Sequence, residues 1–214
     1  MKKDFNIIIA DDHPMLLGGL HKELEDHGYR IIGKADNGMR ALELILKKNP
    51  EVALLDIDMP MLTGFEVAKM AIEKGVDTKF IMLSFHKETD YVVQAKTLQI
   101  HGYLLKEDSF FEIERCLQAV VSGDTYFSKS FTSDALEFAS QEIKKLSLLS
   151  ASELVILKLI AQQKSNLEMA EKLKVSVRTI EKHRSNIIDK LDLEKGTNVL
   201  TNWSLVNKKT ILDL

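Results

Sequence analysis

The chain has 214 residues, enough for two domains, and 45% of them are hydrophobic, ample for a packed core. A net charge of −3 excludes a uniformly basic nucleic-acid binder, but the charge is unevenly spread. Residues 146–214 carry 11 Lys+Arg against 8 Asp+Glu, which leaves an excess of six negative charges on residues 1–145. An acidic front and a mildly basic back fit a chain whose halves do different work. No stretch approaches the roughly 18 apolar residues of a membrane span, so a soluble, cytoplasmic protein without membrane contact is expected. The single cysteine, Cys116, has no partner for an internal disulfide and lies on an amphipathic helical pattern, where a buried thiol is expected.

From Phe5 to about Ser122, β-rich runs alternate with helical patterns: 5–10 then 16–27, 30–34 then 39–48, 52–55 then 65–74, 80–83 then 89–98, and 102–105 then 110–121. Five such βα units predict a five-stranded parallel sheet with helices on both faces. Residues 124–146 read as a linker, helical over 135–145. Behind it, Ser150 with Glu153 and Ser165 with Glu168 have capping-box spacing and predict helices over 154–162 and 169–173. A third box, Ser109 with Glu112, opens the last helix of the front half. Ser176 caps a longer helix reaching Leu191, and 198–206 supplies one more, giving a small all-α, four-helix region.

Four of the front runs end in residues able to handle phosphate or metal. Asp11 and Asp12 close the first, Asp56 the third within Leu54-Leu55-Asp56-Ile57-Asp58-Met59-Pro60, Ser84 the fourth and Lys106 the fifth. Ligands of open parallel sheets bind beyond the carboxyl ends of the strands, where all five residues fall. Three gathered carboxylates repel one another, which raises at least one pKa unless a cation is present. Mg²⁺ suits Asp12 and Asp56 as direct ligands, with Asp11 acting through water. A carboxylate beside Mg²⁺ can attack phosphorus to form an aspartyl phosphate, with Lys106 pairing with the new group and Ser84 donating a hydrogen bond to it.

These residues resemble the receiver domain of two-component response regulators. The resemblance implies a flavodoxin-like doubly wound fold over residues 1–123, Asp56 as phospho-acceptor, and metal binding by Asp11, Asp12, Asp56 and the backbone carbonyl of Asp58. It also implies a switch hydroxyl at Ser84, a switch aromatic at Tyr103 that turns inward on phosphorylation, and a phosphoryl-binding Lys106. The chain departs from the family at Leu98-Gln99-Ile100, where a small turn with glycine is frequent, and at Phe85, whose bulk is expected to narrow access to the phosphoryl group. Asp58 and His86 are candidates to tune the hydrolytic water, with ordinary surface-loop roles as the alternative.

In the back half, a short loop at Lys174-Val175 before a cationic helix describes a helix-turn-helix. Val177, Ile180, Ile187 and Leu191 form its expected buried stripe, leaving Arg178, Thr179, Glu181, Lys182, Ser185 and Asn186 outward. A major groove admits a helix bearing such donors and acceptors; a solvated helix face is the alternative. Residues 147–214, notably Val177-Arg178-Thr179-Ile180-Glu181-Lys182-His183-Arg184-Ser185-Asn186-Ile187, look like the LuxR-type DNA-binding domain, so the whole chain is similar to the NarL/FixJ class. That resemblance implies base contacts from Glu181, Lys182 and Ser185, phosphate contacts from Thr179, His183 and neighbouring basic residues such as Arg184, and double-stranded DNA as partner. A sensor histidine kinase and a homodimer formed on activation complete the implied partners. Such a protein is no enzyme beyond self-phosphotransfer and autodephosphorylation. The rivals are a phosphorylation-independent DNA-binding regulator and a haloacid-dehalogenase-like phosphatase, whose Asp-x-Asp core Asp56 and Asp58 match; Pro60 stands where that family has Thr or Val.

Overall fold

The strongest strand signals are continuous β-branched and leucine runs, and in the computed structural model these become strands buried on both faces. The structure describes residues 5–194 and 196–213. In chain order the front half runs β1 (Asn6–Ala10), α1 (Pro14–Asp26), β2 (Arg30–Ala35), α2 (Gly38–Lys48), β3 (Val52–Asp56), α3 (Gly64–Glu73) and β4 (Lys79–Ser84). It continues with α4 (Thr89–Thr97), β5 (Gly102–Leu105), α5 (Phe110–Val121) and β6 (Tyr126–Phe127). The back half holds α6 (Ser133–Ser147), α7 (Ala151–Ala161), α8 (Asn166–Leu173), α9 (Val177–Lys190), α10 (Val199–Val206) and α11 (Lys208–Asp213). The chain divides into two compact units: the residues up to Glu88 with Leu98–Thr132, and Thr89–Thr97 with Ser133–Leu214.

The first unit is a parallel sheet in the order β2-β1-β3-β4-β5-β6. The chain begins at β1, lays β2 on one side and β3 onward on the other. This reversal opens a crevice at the carboxyl ends of β1 and β3. Ile7 and Ile9 of β1 join Leu54 of β3, Ile81 of β4, Leu104 of β5 and Leu117 of α5 in one apolar cluster. Side chains alternate along a strand, so Ile8 and Leu55, also fully buried, serve the opposite face. Cys116 is fully buried as expected, in the α1 and α5 layer. A Cβ at Gly102 would come within 2.6 Å of its Sγ, so glycine at the start of β5 lets α5 approach the sheet.

Five strands were expected and six are present. The sixth, β6, pairs Tyr126 and Phe127 with Gly102 and Tyr103 of β5, inside the stretch read as linker. Two residues are too few for alternation to be visible, so pairing rather than pattern makes this strand. The box expected at Ser109 is also absent: no side-chain cap bond forms there, because the Glu112 carboxylate instead accepts from the Tyr126 hydroxyl at 2.6 Å and the Lys129 amide. A box does form where none was expected, between Thr63 and Glu66 at the start of α3.

In the second unit the boxes at Ser150 and Ser165 are made as expected. Glu153 adds an ion pair to Lys190 of α9 at 2.7 Å, tying α7 to α9. Burial pushes the Glu153 pKa up, but Lys190 and the Ser150 cap outweigh it and hold the carboxyl down at about 2. The core gathers Ile156, Leu157, Ile160, Met169, Ile180, Ile187, Leu191, Leu200 and Ile211. Three stripe residues are therefore buried as read, but Val177, the first residue of α9, is 37% exposed. The short α11 was not foreseen; it starts just past Asn207, whose side chain bonds the Trp203 carbonyl at the end of α10. The same unit includes α4, whose Lys96 Nζ donates to the Leu136 carbonyl at 3.0 Å and the Ser140 hydroxyl at 2.7 Å, both on α6.

Candidate functional site

The carboxyl ends of β1, β3, β4 and β5 deliver Asp11, Asp56, Ser84 and Lys106 to one pocket. All four are buried. Lys106 Nζ sits 2.8 Å from Asp11 Oδ2 and 2.8 Å from Asp56 Oδ2, so one ammonium is shared by two carboxylates. Its own backbone N–H donates to the Ser84 carbonyl at 2.8 Å, which fixes the end of β5 against β4. Burial alone would lower the Lys106 pKa, but its hydrogen bonds to Asp11 and Asp56 outweigh this and raise it. Burial raises the Asp56 pKa; Lys106 opposes the shift and the Asp11 charge adds to it.

Asp12 is less buried, its side chain 29% exposed, and its Oδ1 lies 2.9 Å from His13 Nδ1. Asp11, Asp12, His13 and Asp56 can each bring one ligand atom within 4.8 Å of the others. The three carboxylates are hard donors at a spacing a small divalent ion can bridge, and so fit Mg²⁺. The loops around the pocket are held close. A Cβ at Gly64 would lie 2.3 Å from the Asp56 carbonyl and one at Gly38 would lie 1.9 Å from the Leu62 carbonyl, so only glycine fits either place. Between them Met61 takes φ 73°, a left-handed conformation unusual for a side-chain-bearing residue.

Ser84 Oγ accepts from the His86 N–H at 3.0 Å, and the Tyr103 hydroxyl donates to the His86 carbonyl at 3.1 Å. The Tyr103 ring is fully buried, tilted against Phe131 with centroids 4.9 Å apart. It already occupies the inward position that the resemblance assigns to the phosphorylated state. Phe85 is 63% exposed, with Lys106 Nζ 5.2 Å from its ring centroid. His86 Nε2 meets Asp58 Oδ2 at 2.6 Å, so the two expected tuners touch. His13, part of the Asp11-Asp12-His13 run, was given no role in the sequence and stands within the cluster; direct adjacency to the acidic pair was its signal.

On the back domain, Lys174 adopts φ 55° in the turn between α8 and α9, and the Ser176 hydroxyl accepts from the Thr179 N–H to start α9. Arg178, Glu181, Lys182 and Ser185 are exposed on α9, while Thr179, His183 and Asn186 are half-buried. Arg184 is turned into the domain: its guanidinium donates to the Thr201 hydroxyl at 3.0 Å, and burial lowers its pKa. Among the described residues no helix is long and apolar enough to cross a membrane.

Comparison with known proteins agrees with this geometry. Residues 7–121 match the response regulator receiver domain, and residues 147–201 match the bacterial regulatory proteins of the luxR family. The oxygen regulatory protein NreC of Staphylococcus carnosus is 31% identical over 217 residues, spanning 97% of this chain and 99% of that one. A LuxR-family DNA-binding response regulator from Staphylococcus aureus is 34% identical with a TM-score of 0.53, covering 55% of this chain and 98% of that structure. RcsB from Salmonella enterica serovar Typhimurium, solved bound to promoter rprA with the phosphomimetic BeF3-, is 25% identical with a TM-score of 0.57 over 94% of this chain and 98% of that one. With both halves matched in this order, the chain belongs to the response regulators that join a receiver domain to a LuxR-type DNA-binding domain.

Proposed function

We propose that this transcription regulator is switched by phosphorylation of Asp56. The observation that carries the reading is Lys106 shared between Asp11 and Asp56 at the sheet's switch point, with Ser84 buried at the end of the adjoining strand β4. Asp12 and Asp56 would hold Mg²⁺ directly, Asp11 through water, and Asp58 through its backbone carbonyl. Bound Mg²⁺ supplies positive charge that offsets the phosphoryl oxygens. The Asp56 carboxylate attacks the phosphorus of a phosphohistidine on a sensor kinase. The new O–P bond forms as the P–N bond breaks, and the electron pair returns to the histidine nitrogen, which takes up a proton. Lys106 then exchanges a carboxylate partner for a phosphoryl oxygen. Ser84 Oγ already accepts from the His86 N–H, which leaves its own O–H to donate to that group.

Ser84 and Tyr103 bond the two backbone faces of the same residue, His86, so a pull on Ser84 is passed through one residue to Tyr103. Residues 1–123 act as receiver, 124–146 as linker and 147–214 as the DNA-binding domain of a cytoplasmic regulator. Activation favours a homodimer whose α9 helices enter successive major grooves of double-stranded DNA, roughly 34 to 36 Å apart. Arg178, Glu181, Lys182 and Ser185 face the bases and phosphates, with Thr179, His183 and Asn186 at the edge. Arg184 braces α9 through Thr201. Beyond self-phosphotransfer and autodephosphorylation no turnover is assigned. The test is intact mass after incubation with Mg²⁺ and acetyl phosphate: the native chain should gain one phosphoryl group and Asp56→Asn none. Equal gain in both, or gain in neither with acetyl phosphate or a kinase, would overturn the reading.

A further inference from the structure

We propose that His101 is a pH-sensitive latch on the receiver: as the neutral imidazole it closes the amino-terminal end of the junction between β4 and β5, and its protonation releases that end. The inference stands on strand pairing and is independent of the phosphoryl and metal chemistry at the carboxyl ends of the sheet.

The parallel ladder between β4 and β5 starts with Ile81 opposite Gly102, so Phe80 and His101 lie one step ahead of it. The Lys79 N–H donates to the Glu51 carbonyl on the β3 side at 2.8 Å, and the next amide along the strand, that of Phe80, points the other way, toward β5. Its acceptor there is a side chain: His101 Nδ1, at 3.2 Å. The main chain of His101 is held at the same place from both sides. Its N–H donates to the Phe80 carbonyl at 3.0 Å, and its carbonyl accepts from the Tyr126 N–H of β6 at 2.9 Å.

An imidazole nitrogen accepts only while it carries no proton, so this bond requires the neutral ring with its proton on Nε2. Protonation sets N–H against N–H. Phe80 is fully buried, so its amide has no water to turn to once the ring is charged, and an unmade buried bond is costly. The latch joins the two strands that carry the switch residues, since β4 ends in Ser84 and β5 contains Tyr103 and leads to Lys106.

Burial lowers the His101 pKa, the Lys79 charge adds to this and Asp77 opposes it. Lys79 and Asp77 pair with each other at 3.6 Å on the β4 side. On the β6 side stand Tyr126 and, two residues ahead of it, Asp124; on α5 stands Cys116, against Gly102. The turn Leu98-Gln99-Ile100 brings no titratable side chain. Tyr126, pushed up to about 12, and Cys116, raised by burial, do not change charge near neutrality. With the folded value below the unfolded 6.5, the stability from the latch is full above 6.5 and is lost as pH falls through the folded value.

Amide hydrogen exchange of the full chain, native against His101→Asn, tests this. Asn offers an oxygen acceptor near the place of Nδ1 and does not titrate. The ratio of native to His101→Asn protection at the Phe80 amide is expected to fall about threefold or more between about pH 7.5 and about pH 5.5. An unchanged ratio overturns the inference, because the other five histidines move both proteins alike. Should His101→Asn not fold, long-range proton–nitrogen spectra of the native chain decide. Nδ1 is expected to be the bare nitrogen at neutral pH, with the ring and the Phe80 amide titrating together at a midpoint below 6.5. A proton on Nδ1 at neutral pH, or a midpoint at or above 6.5, overturns the inference.

Discussion

At Asp56 the sign of the pKa shift dictates how stability follows pH. Burial raises its pKa, so the folded chain binds this proton more tightly than the unfolded chain does. The associated stability is present at low pH and is lost as pH rises through the folded value. Asp56→Asn removes that charge, and is expected to stabilise the metal-free protein at pH 7 by about 1 to 2 kcal/mol in urea unfolding, the usual cost of an incompletely compensated buried carboxylate. The gain should shrink as pH falls through the raised folded value and be gone below about 4, where Asp56 is protonated in both states. Lys106→Met has the opposite sign. It leaves Asp11 and Asp56 without their cation, and a loss of about 3 kcal/mol is expected at neutral pH, partly restored by millimolar Mg²⁺ in thermal melts. Asp11, Asp56, Ser84 and Lys106 were legible because each ends a strand, and a strand's end is written in local sequence. His86 was read as a candidate tuner of the hydrolytic water; that its peptide links Ser84 to Tyr103 depends on β4 lying beside β5, which no local pattern states.

The turn ahead of β5 carries a defect that the sequence did announce. Gln99 takes φ 53°, a left-handed conformation that glycine adopts freely and L-residues adopt at a cost of roughly 1 to 2 kcal/mol. After the extra backbone freedom of glycine is allowed for, Gln99→Gly is expected to stabilise the chain by roughly 0.5 to 1 kcal/mol, read by urea midpoint at unchanged slope. In the back domain the capping boxes were legible because they span four residues; the Lys190 partner of Glu153 was not, being 37 positions away. Glu153 has a depressed pKa, so its contribution is present above the unfolded value of about 4.5 and fades as pH falls toward about 2. Lys190 is partly solvated, so Glu153→Gln should destabilise this domain by only about 1 to 2 kcal/mol near pH 7, with little effect at pH 2. Trp203, the chain's sole tryptophan, packs on the back-domain core and reports this unfolding by fluorescence. The elements missed were those without a period of their own: β6, too short to alternate, and α11, one helical turn and a half behind Asn207.

For the whole molecule, the charge asymmetry between the halves predicts where salt acts. DNA affinity should fall linearly on a log–log plot against salt, and Lys182→Ala should lessen the slope by about 1 if Lys182 meets a phosphate. Asp56→Asn, altering the acidic half, should leave the slope of the isolated binding event unchanged while abolishing its dependence on acetyl phosphate. The two-part organisation was legible from composition and periodicity together, since the βα alternation stops near residue 122 and the net charge changes sign beyond the linker that follows. The grouping of α4 with the back-half helices was not, because Lys96 reads in sequence as an ordinary surface lysine although it is bound to two groups on α6. The buried thiol beside Gly102 has a practical reach beyond packing. With burial holding its pKa far above neutral and no other cysteine in the chain, native protein should resist maleimide and react only as the receiver opens. Quenching such a reaction at intervals turns Cys116 into an internal clock for receiver breathing, and spectroscopic labels placed on α4 or α9 through new surface cysteines need no prior removal of the native one.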